Sequence, residues 1–189
     1  MDFIVITGPQ AVGKMAVGKA ISEKTGLRLF HNHMTIELVI SLFPYNSQEG
    51  QTLIKDFRQS IFEKMASSDQ AGMIFTYVWA FDLPSEYDYI YKQIELFEAR
   101  GATTYIVELE SDLETRLERN KTPLRLQEKP SKRNLEWSDK DVRNGMKKYR
   151  LNSLPGEITH ANYLRLDNSQ LTVDEAADKI IDYFSLKRL

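Results

Sequence analysis

The chain has 189 residues, of which 42% are hydrophobic and 28% charged, with a net charge of -2 and no cysteine. This composition is that of an ordinary globular protein, and it excludes disulfides and thiolate metal sites. The slightly acidic balance gives no general reason to expect a nucleic-acid or membrane partner. No apolar run approaches the ~18 residues of a membrane span, and the first residues lack the basic start of a signal peptide. We therefore expect a cytoplasmic protein with a single domain over residues 1–189.

Short apolar runs alternate with segments of helical periodicity along the chain. The apolar runs predict five strands, at residues 3–7, 27–30, 73–78, 103–109 and 163–166. The helical patterns predict seven helices, at residues 13–25, 35–43, 49–65, 84–100, 112–120, 138–149 and 173–184. Ser138 and Thr172 are predicted N-caps, because an acidic residue follows each of them three positions on. Alternating strands and helices predict an α/β fold, a parallel sheet with helices on both faces.

Residues 121–137 form the one long segment without a strand or helix pattern, and they include two prolines. A loop of this length in a compact domain is a functional lid or is disordered. It lies within the basic segment 116–150, which holds 12 Lys and Arg against 5 Asp and Glu, a net charge of +7. A local basic segment in an acidic protein is typical of a site that gathers a polyanion such as ATP, although a solvated helical face has the same composition.

The most specific motif is G-x-x-x-x-G-K at residues 8–14, between the first predicted strand and the first predicted helix. Its glycines allow backbone N–H groups to converge on phosphate oxygens, and Lys14 adds a full positive charge at the helix N-terminus. The sequence therefore predicts a Walker A (P-loop) nucleotide site. Its predicted binding residues are Gly8, Ala11, Val12, Gly13, Lys14 and Met15. Met15 stands where the motif has Ser or Thr to hold Mg²⁺, which weakens the case for catalysis.

Polar and aromatic residues follow the second and third predicted strands. His31 and His33 either recognise a polar acceptor, with one imidazole as general base, or are satisfied polar residues at a strand end. Two histidines are too few for a transition-metal site. Asp82 is a candidate to hold a Mg²⁺-bound water or to accept the acceptor's proton, and its alternative is a helix cap. Trp79 is a candidate wall of the acceptor pocket, and its alternative is a core aromatic.

The order of these parts resembles the small P-loop kinases, that is, the shikimate, gluconate and nucleoside monophosphate kinases, and most of all a shikimate-kinase-like group. The matching parts are the loop at residues 8–14, Arg116 and Arg119 after the fourth strand, the lid, Arg143 on the next helix, and Asn168 before the last helix. The resemblance implies a five-stranded parallel sheet with the loop strand in the centre. It also implies ATP- and Mg²⁺-dependent phosphoryl transfer to a small molecule.

The resemblance also implies roles for single residues. Arg116 and Arg119 would flank the adenine and the phosphates, the lid would supply Arg125 and Arg133, and Asn168 would lie at the adenine ring. The residues that we assign to the acceptor are His31, His33, Trp79 and Arg143. The resembling kinases have acidic residues where this chain has His31-Asn32-His33, so their acceptors, shikimate included, are not carried over.

The leading hypothesis is therefore a small-molecule kinase of the phosphotransferase class (EC 2.7), monomeric or homodimeric, with Lys14, Asp82 and Arg125 as catalytic residues. The acceptor and the choice between ATP and GTP stay open. A second hypothesis, motivated by Met15, is a degenerate nucleotide-binding regulatory protein with little phosphotransfer. A third is a kinase acting on a nucleic-acid end, which the basic segment allows but the acidic remainder of the chain disfavours.

Overall fold

The computed structural model describes residues 1–189, and it is built around one five-stranded sheet. The strands are β1 (Asp2–Thr7), β2 (Arg28–His31), β3 (Gly72–Thr76), β4 (Thr103–Glu110) and β5 (Tyr163–Asp167). They lie in the order β2-β3-β1-β4-β5, and every neighbouring pair is parallel. The strand that precedes the glycine-rich loop is therefore central, as the resemblance implies.

Eight α-helices and one 3₁₀ turn connect and follow the strands. The helices are α1 (Lys14–Thr25), α2 (His33–Ile40), α3 (Gln48–Ala66), α4 (Pro84–Glu98), α5 (Leu113–Arg119), α6 (Pro123–Glu128), α7 (Leu135–Lys148) and α8 (Val173–Phe184), and the 3₁₀ turn is Pro130–Lys132. No helix combines the length and the apolar character needed to cross a membrane. All five predicted strands and all seven predicted helices are present, with ends shifted by a few residues.

The main correction concerns residues 121–137. The sequence predicts no regular structure there, but α6, the 3₁₀ turn and the start of α7 occupy most of it. The predicted N-cap at Ser138 is also wrong, because the Asn134 side chain accepts from the Trp137 amide and begins α7 earlier. Ser138 is buried instead and donates to Asn120 Oδ1 at 3.1 Å. The predicted cap at Thr172 is confirmed and forms a full capping box.

The core has two layers because both faces of the sheet are covered. Phe3 and Val5 of β1 pack on one face with side chains of α3 and α4, such as Phe62 and Phe97. Their neighbours on β1, which point to the opposite face, pack with side chains of α1 and α8. Burial on both faces explains why β1, β3 and β4 are nearly continuous apolar runs. Because both faces of the sheet are covered, a polar ligand can bind at the carboxyl edge of the sheet, where β1 continues into the glycine-rich loop.

Candidate nucleotide site

The loop at residues 8–14 passes close to the end of β4. Gly8 has φ 131°, and a Cβ there would lie 2.3 Å from the Leu109 carbonyl oxygen, so only glycine fits. Gly13 has φ 108° and leads directly into α1. Ala11 is one of two non-glycine residues with positive φ, at 61°. A positive φ angle is uncommon for residues other than glycine, and it occurs where the surrounding structure imposes it.

Lys14 lies folded back over the loop. Its side chain is buried, with 8% of the residue exposed, and its Nζ donates to the carbonyl oxygens of Gly8 at 2.5 Å and Pro9 at 2.7 Å. Burial lowers the pKa of Lys14 well below its usual value, and the nearby cations Lys129, Arg125 and Arg116 lower it further. No carboxylate contributes, so the ammonium is held by neutral carbonyls alone. An arriving phosphate would supply the negative charge that this group lacks.

Arg116 and Arg125 extend this group of cations. Arg116 is 1% exposed; its Nε donates to the Gln10 carbonyl at 2.8 Å, and its Nη2 has no partner. Burial, followed by the charge of Arg125, lowers the pKa of Arg116 to about 10. Arg125 Nε donates to Asn120 Oδ1 at 2.7 Å, and burial lowers its pKa as well. Two guanidinium groups are thus brought to the loop without a bidentate carboxylate partner.

Lys129 is a fourth cation that sequence reasoning missed. It lies between α6 and the 3₁₀ turn, and 8% of it is exposed. Burial lowers its pKa to about 7, with Arg125 and Lys132 adding to the effect and Glu37 opposing it. The only signal in the sequence is its place in the predicted lid, where it is one lysine among several. Its burial is a tertiary effect that composition does not reveal.

Arg119 and Asn168 join the loop to the segment before α8. Arg119 donates to the Val12 carbonyl at 3.1 Å, to Asn168 Oδ1 at 3.1 Å and to the Asn168 carbonyl at 2.7 Å. Asn168 in turn donates from Nδ2 to the same Val12 carbonyl at 2.9 Å. Both residues are thereby fixed at the wall of the site. The hydrogen bonds of Arg119 and Asn168 are to protein groups, and these bonds hold the two predicted binding residues in place.

These residues surround a cavity of about 300 Å³. Its lining joins the loop and the first turns of α1 to the lid and to the start of α8, and half of the lining residues are hydrophobic. The residues predicted from the sequence that line it are Ala11, Val12, Gly13, Lys14, Met15, Arg119, Arg125 and Asn168. Gly8 and Arg116 do not line the cavity and support the loop from behind. A cavity with apolar walls and a few convergent charges is typical of a small-ligand site.

The two histidines are linked to the lid through Glu37. His33 Nδ1 lies 3.1 Å from Glu37 Oε1, and Ser131 Oγ donates to the same oxygen at 2.5 Å. Burial is the main cause that lowers the pKa values of both His31 and His33 to about 4. Both imidazoles are therefore neutral at neutral pH. The rings are thus unprotonated, as a general base must be, but they are weaker bases than an ordinary histidine.

None of the residues predicted for the acceptor side lines the cavity: His31 and His33 lie outside it, and so do Trp79, Asp82 and Arg143. Trp79 is fully buried and stacks on Phe81 at 4.7 Å, so it belongs to the core and not to a pocket wall. Asp82 is exposed and accepts from the Arg150 amide at 3.3 Å; it does not cap α4, whose N-cap is Leu83. Arg143 is exposed on α7.

The protein groups at the cavity do not fit a magnesium ion. The Met15 side chain, which lines the cavity, offers a thioether, and Mg²⁺ requires oxygen ligands. No group of three or more His, Cys, Asp or Glu residues is arranged to hold a metal. A magnesium ion at this site would therefore depend on the phosphates that accompany it.

Comparison with known proteins gives the fold. No family model and no curated protein matches the sequence. Among solved structures, a gluconokinase from Sinorhizobium meliloti has a TM-score of 0.60 and 15% identity, over 97% of this chain and 91% of that one. A shikimate kinase from Acinetobacter baumannii, in complex with shikimate, has a TM-score of 0.60 and 17% identity, over 97% and 92%. The chain has the P-loop kinase fold.

A third solved structure of similar fold is a tunicamycin resistance protein from Deinococcus radiodurans, with a TM-score of 0.56 and 15% identity, over 100% of this chain and 98% of that one. These matches confirm the shikimate- and gluconate-kinase-like architecture predicted from the sequence. At such identities the likeness concerns the fold, and chemistry must be argued from the site.

Proposed function

We propose that this protein is an ATP-dependent phosphotransferase that acts on a hydroxyl group of a small molecule. The observation that carries the proposal is the convergence of three buried cations, Lys14, Arg116 and Lys129, and the partly buried Arg125 around one glycine-rich loop. Burying like charges together without carboxylates is costly. A bound polyphosphate offsets that cost, because it brings the missing negative charge to the same place.

The lining of the cavity suits the parts of a nucleotide. Backbone N–H groups of the loop and the ammonium of Lys14 would bind the β- and γ-phosphates. Arg125 would reach the phosphates from the lid, while Arg119 and the apolar side chains of Leu171 and Val173 line the part of the cavity near α8. We assign the nucleobase of the nucleotide to that apolar part of the cavity, because a flat aromatic ring is best buried against hydrophobic groups.

In the proposed reaction the acceptor hydroxyl oxygen forms a bond to the γ-phosphorus. The bond from that phosphorus to the β–γ bridging oxygen breaks, ADP leaves, and the acceptor's hydroxyl proton is released to the solvent. Charge spreads over the γ-phosphoryl oxygens in the transition state, so prearranged cations accelerate the step electrostatically. The nucleotide would bring Mg²⁺ with it, and none of the roles given to protein residues depends on that ion.

His33 is our candidate to orient the acceptor hydroxyl. A carboxylate only accepts hydrogen bonds, so His33 Nδ1 must donate to Glu37, which leaves Nε2 as an acceptor in the neutral ring. The low pKa of His33 keeps this tautomer available at neutral pH. Asp82 remains a second candidate for the same role, although it lies off the cavity on the Arg150 amide.

The positive charge of residues 116–150 is largely used inside the molecule. Arg116 and Lys129 are buried, Lys132 pairs with Asp141 at 3.0 Å, and Arg150 pairs with Glu157. A long nucleic-acid strand requires a row of open cations along a groove. The arrangement therefore favours a small phosphate-bearing ligand over a nucleic-acid end.

A phosphotransfer screen tests the proposal. The protein is incubated with ATP or GTP and with sugars, nucleosides, shikimate-like acids and aminoglycosides, and phosphorylated products are measured. We expect turnover with one acceptor class well above nucleotide hydrolysis, abolished in Lys14→Ala and retained in Lys19→Ala, an exposed lysine on the same helix. Nucleotide binding without transfer to any acceptor would contradict the proposal and would support the regulatory alternative that Met15 favours.

A further inference from the structure

We propose that this protein forms a homodimer through the face that α2, the turn after it and the outer side of α3 present to solvent. We call this surface the α2–α3 face. Half of the large hydrophobic residues that the fold leaves exposed lie on it, within residues 34–61, and each is 36% to 73% exposed. They are Met34, Leu38, Leu42, Phe43, Tyr45, Phe57 and Ile61. The proposal does not depend on the proposed function, because none of these residues lines the nucleotide cavity.

The exposed side of α2 is entirely apolar. Met34 and Leu38 are the only exposed residues of this helix, and they lie one turn apart. On its inner side Thr35 and Val39 are buried. A helix that is apolar on nearly all sides is normally covered on all of them. One side of α2 therefore has the composition of a buried surface and no covering element in the single chain.

The apolar residues of the two helices belong to one surface because α2 and α3 pack side by side. At one end of this helix pair, Arg58 of α3 donates to Thr35 Oγ1 of α2 at 3.0 Å. At the other end, a Cβ on Gly50 of α3 would lie 3.3 Å from the Cβ of Phe43 in the turn. The helices are thus in contact from the start of α2 to the turn that leads into α3, and their exposed apolar residues adjoin one another.

The size of the α2–α3 face fits a dimer interface. A large side chain has a surface of about 200 Å², so the exposed fractions of the seven residues amount to roughly 700 Å² on one copy. The largest apolar patch of a typical monomer is about 300–600 Å². A specific protein interface buries about 800 Å² on each partner. Two copies that meet through this face would bury nearly that area.

The charges around the α2–α3 face favour a second copy over other occupants. A twofold dimer brings the same surface of both chains together, so that surface must not repel itself. No charged residue of α2 is exposed. The exposed charges of α3 are of both signs, so acids of one copy can pair with lysines of the other; they are Glu49, Lys55, Asp56, Glu63 and Lys64. An anionic membrane surface would instead require an excess of Lys and Arg.

The side of α2 that we assign to the lid and the acceptor is separate from this face. His33 and Glu37 lie one turn apart on a neighbouring side of the helix, where Ser131 of the lid donates to the Glu37 carboxylate. Met34 and Leu38 follow them by one position each, which is about 100° around the helix. Dimer formation through Met34 and Leu38 therefore leaves the lid contact in place.

Sedimentation velocity at protein concentrations between about 1 and 100 µM tests the proposal. We expect the wild-type protein to sediment with the mass of two chains at the upper end of this range. Leu38→Glu should sediment as one chain, with a dimer dissociation constant raised at least about a hundredfold, because each dimer carries the substitution twice. Leu154→Glu is the matched control: Leu154 is 58% exposed and Leu38 56%, but Leu154 lies outside the face. It should dimerise as the wild-type protein does.

Two further measurements exclude a trivial loss of the dimer. Leu42→Glu, at the most exposed position of the face, should behave as Leu38→Glu does, and circular dichroism should show both variants folded. An equimolar mixture of Leu38→Glu and Leu38→Lys should regain the mass of two chains, because the introduced charges then attract across the interface. A wild-type protein that stays a single chain at about 100 µM would overturn the proposal. So would a dimer that persists in both Leu38→Glu and Leu42→Glu.

Discussion

Arg119 is expected to hold the nucleotide cavity together, and its removal should be measurable as lost stability. Its guanidinium donates three hydrogen bonds, to Val12 and twice to Asn168, at 2.7 to 3.1 Å. A protein hydrogen bond contributes about 0.5–1.5 kcal/mol net. Because Arg119 is only partly buried, water replaces some of the lost partners, and the lower end of that range applies. With three bonds at about 0.5 kcal/mol each, we expect Arg119→Ala to lower the free energy of unfolding by about 1.5 kcal/mol.

Urea unfolding at pH 7 measures this change, and a titration with ATP measures the effect on the site. Arg28→Ala is the control, because Arg28 is an exposed arginine with a single long contact, 3.4 Å to Gln70. That variant should lose less than about 0.5 kcal/mol, as surface substitutions usually do. ATP affinity should fall in Arg119→Ala and not in Arg28→Ala. Equal stability and equal affinity in the two variants would refute the claim that Arg119 fixes the loop.

Three further outcomes are expected. Gly8→Ala should lower the free energy of unfolding in urea by about 3 kcal/mol or more, because the added Cβ would lie 2.3 Å from a backbone carbonyl oxygen. The control Gly101→Ala, at a positive φ but with open space around it, should lower it by about 1 kcal/mol. Similar losses in the two variants would contradict the close approach at Gly8. Met15→Ser should lower the Mg²⁺ concentration needed for half-maximal turnover by about tenfold, because a hydroxyl is an oxygen ligand and a thioether is not. An unchanged titration would show that residue 15 does not reach the ion. The free energy of unfolding should fall as the pH is lowered from 6.5 to 4, because only the unfolded chain protonates His31 and His33 in that range. The double variant His31→Asn/His33→Asn should flatten this dependence, and an unchanged dependence would mean that other groups cause it.

The sheet and the loop were predictable because local sequence and tertiary structure agree there. The strands β1 and β3 are apolar on both faces, and Gly8 and Gly13 occupy backbone positions that other residues adopt only with strain. The cap at Thr172 was predictable for the same reason, since Glu175 completes its box within four residues. Each of these features depends on neighbours in the chain.

The lid and the acceptor side were less predictable because distant contacts decide them. Ser138 has the chemistry of an N-cap, but Asn134 competes successfully and Ser138 is buried against Asn120. Lys129 is indistinguishable from its neighbours in the sequence, and only the docking of Ser131 on Glu37 places it inside. Trp79, Asp82 and Arg143 were assigned by their order along the chain, which does not determine the direction of a side chain.

The central claim is that backbone amides at the start of α1 and the ammonium of Lys14 bind the phosphates of a nucleotide. Calorimetric titration of ATP into the wild-type protein, Lys14→Ala and Lys19→Ala tests it most directly. We predict saturable binding to the wild-type protein and to Lys19→Ala, and a loss of about tenfold or more in affinity for Lys14→Ala. Equal affinity in all three proteins, or no binding to the wild-type protein, would contradict the account.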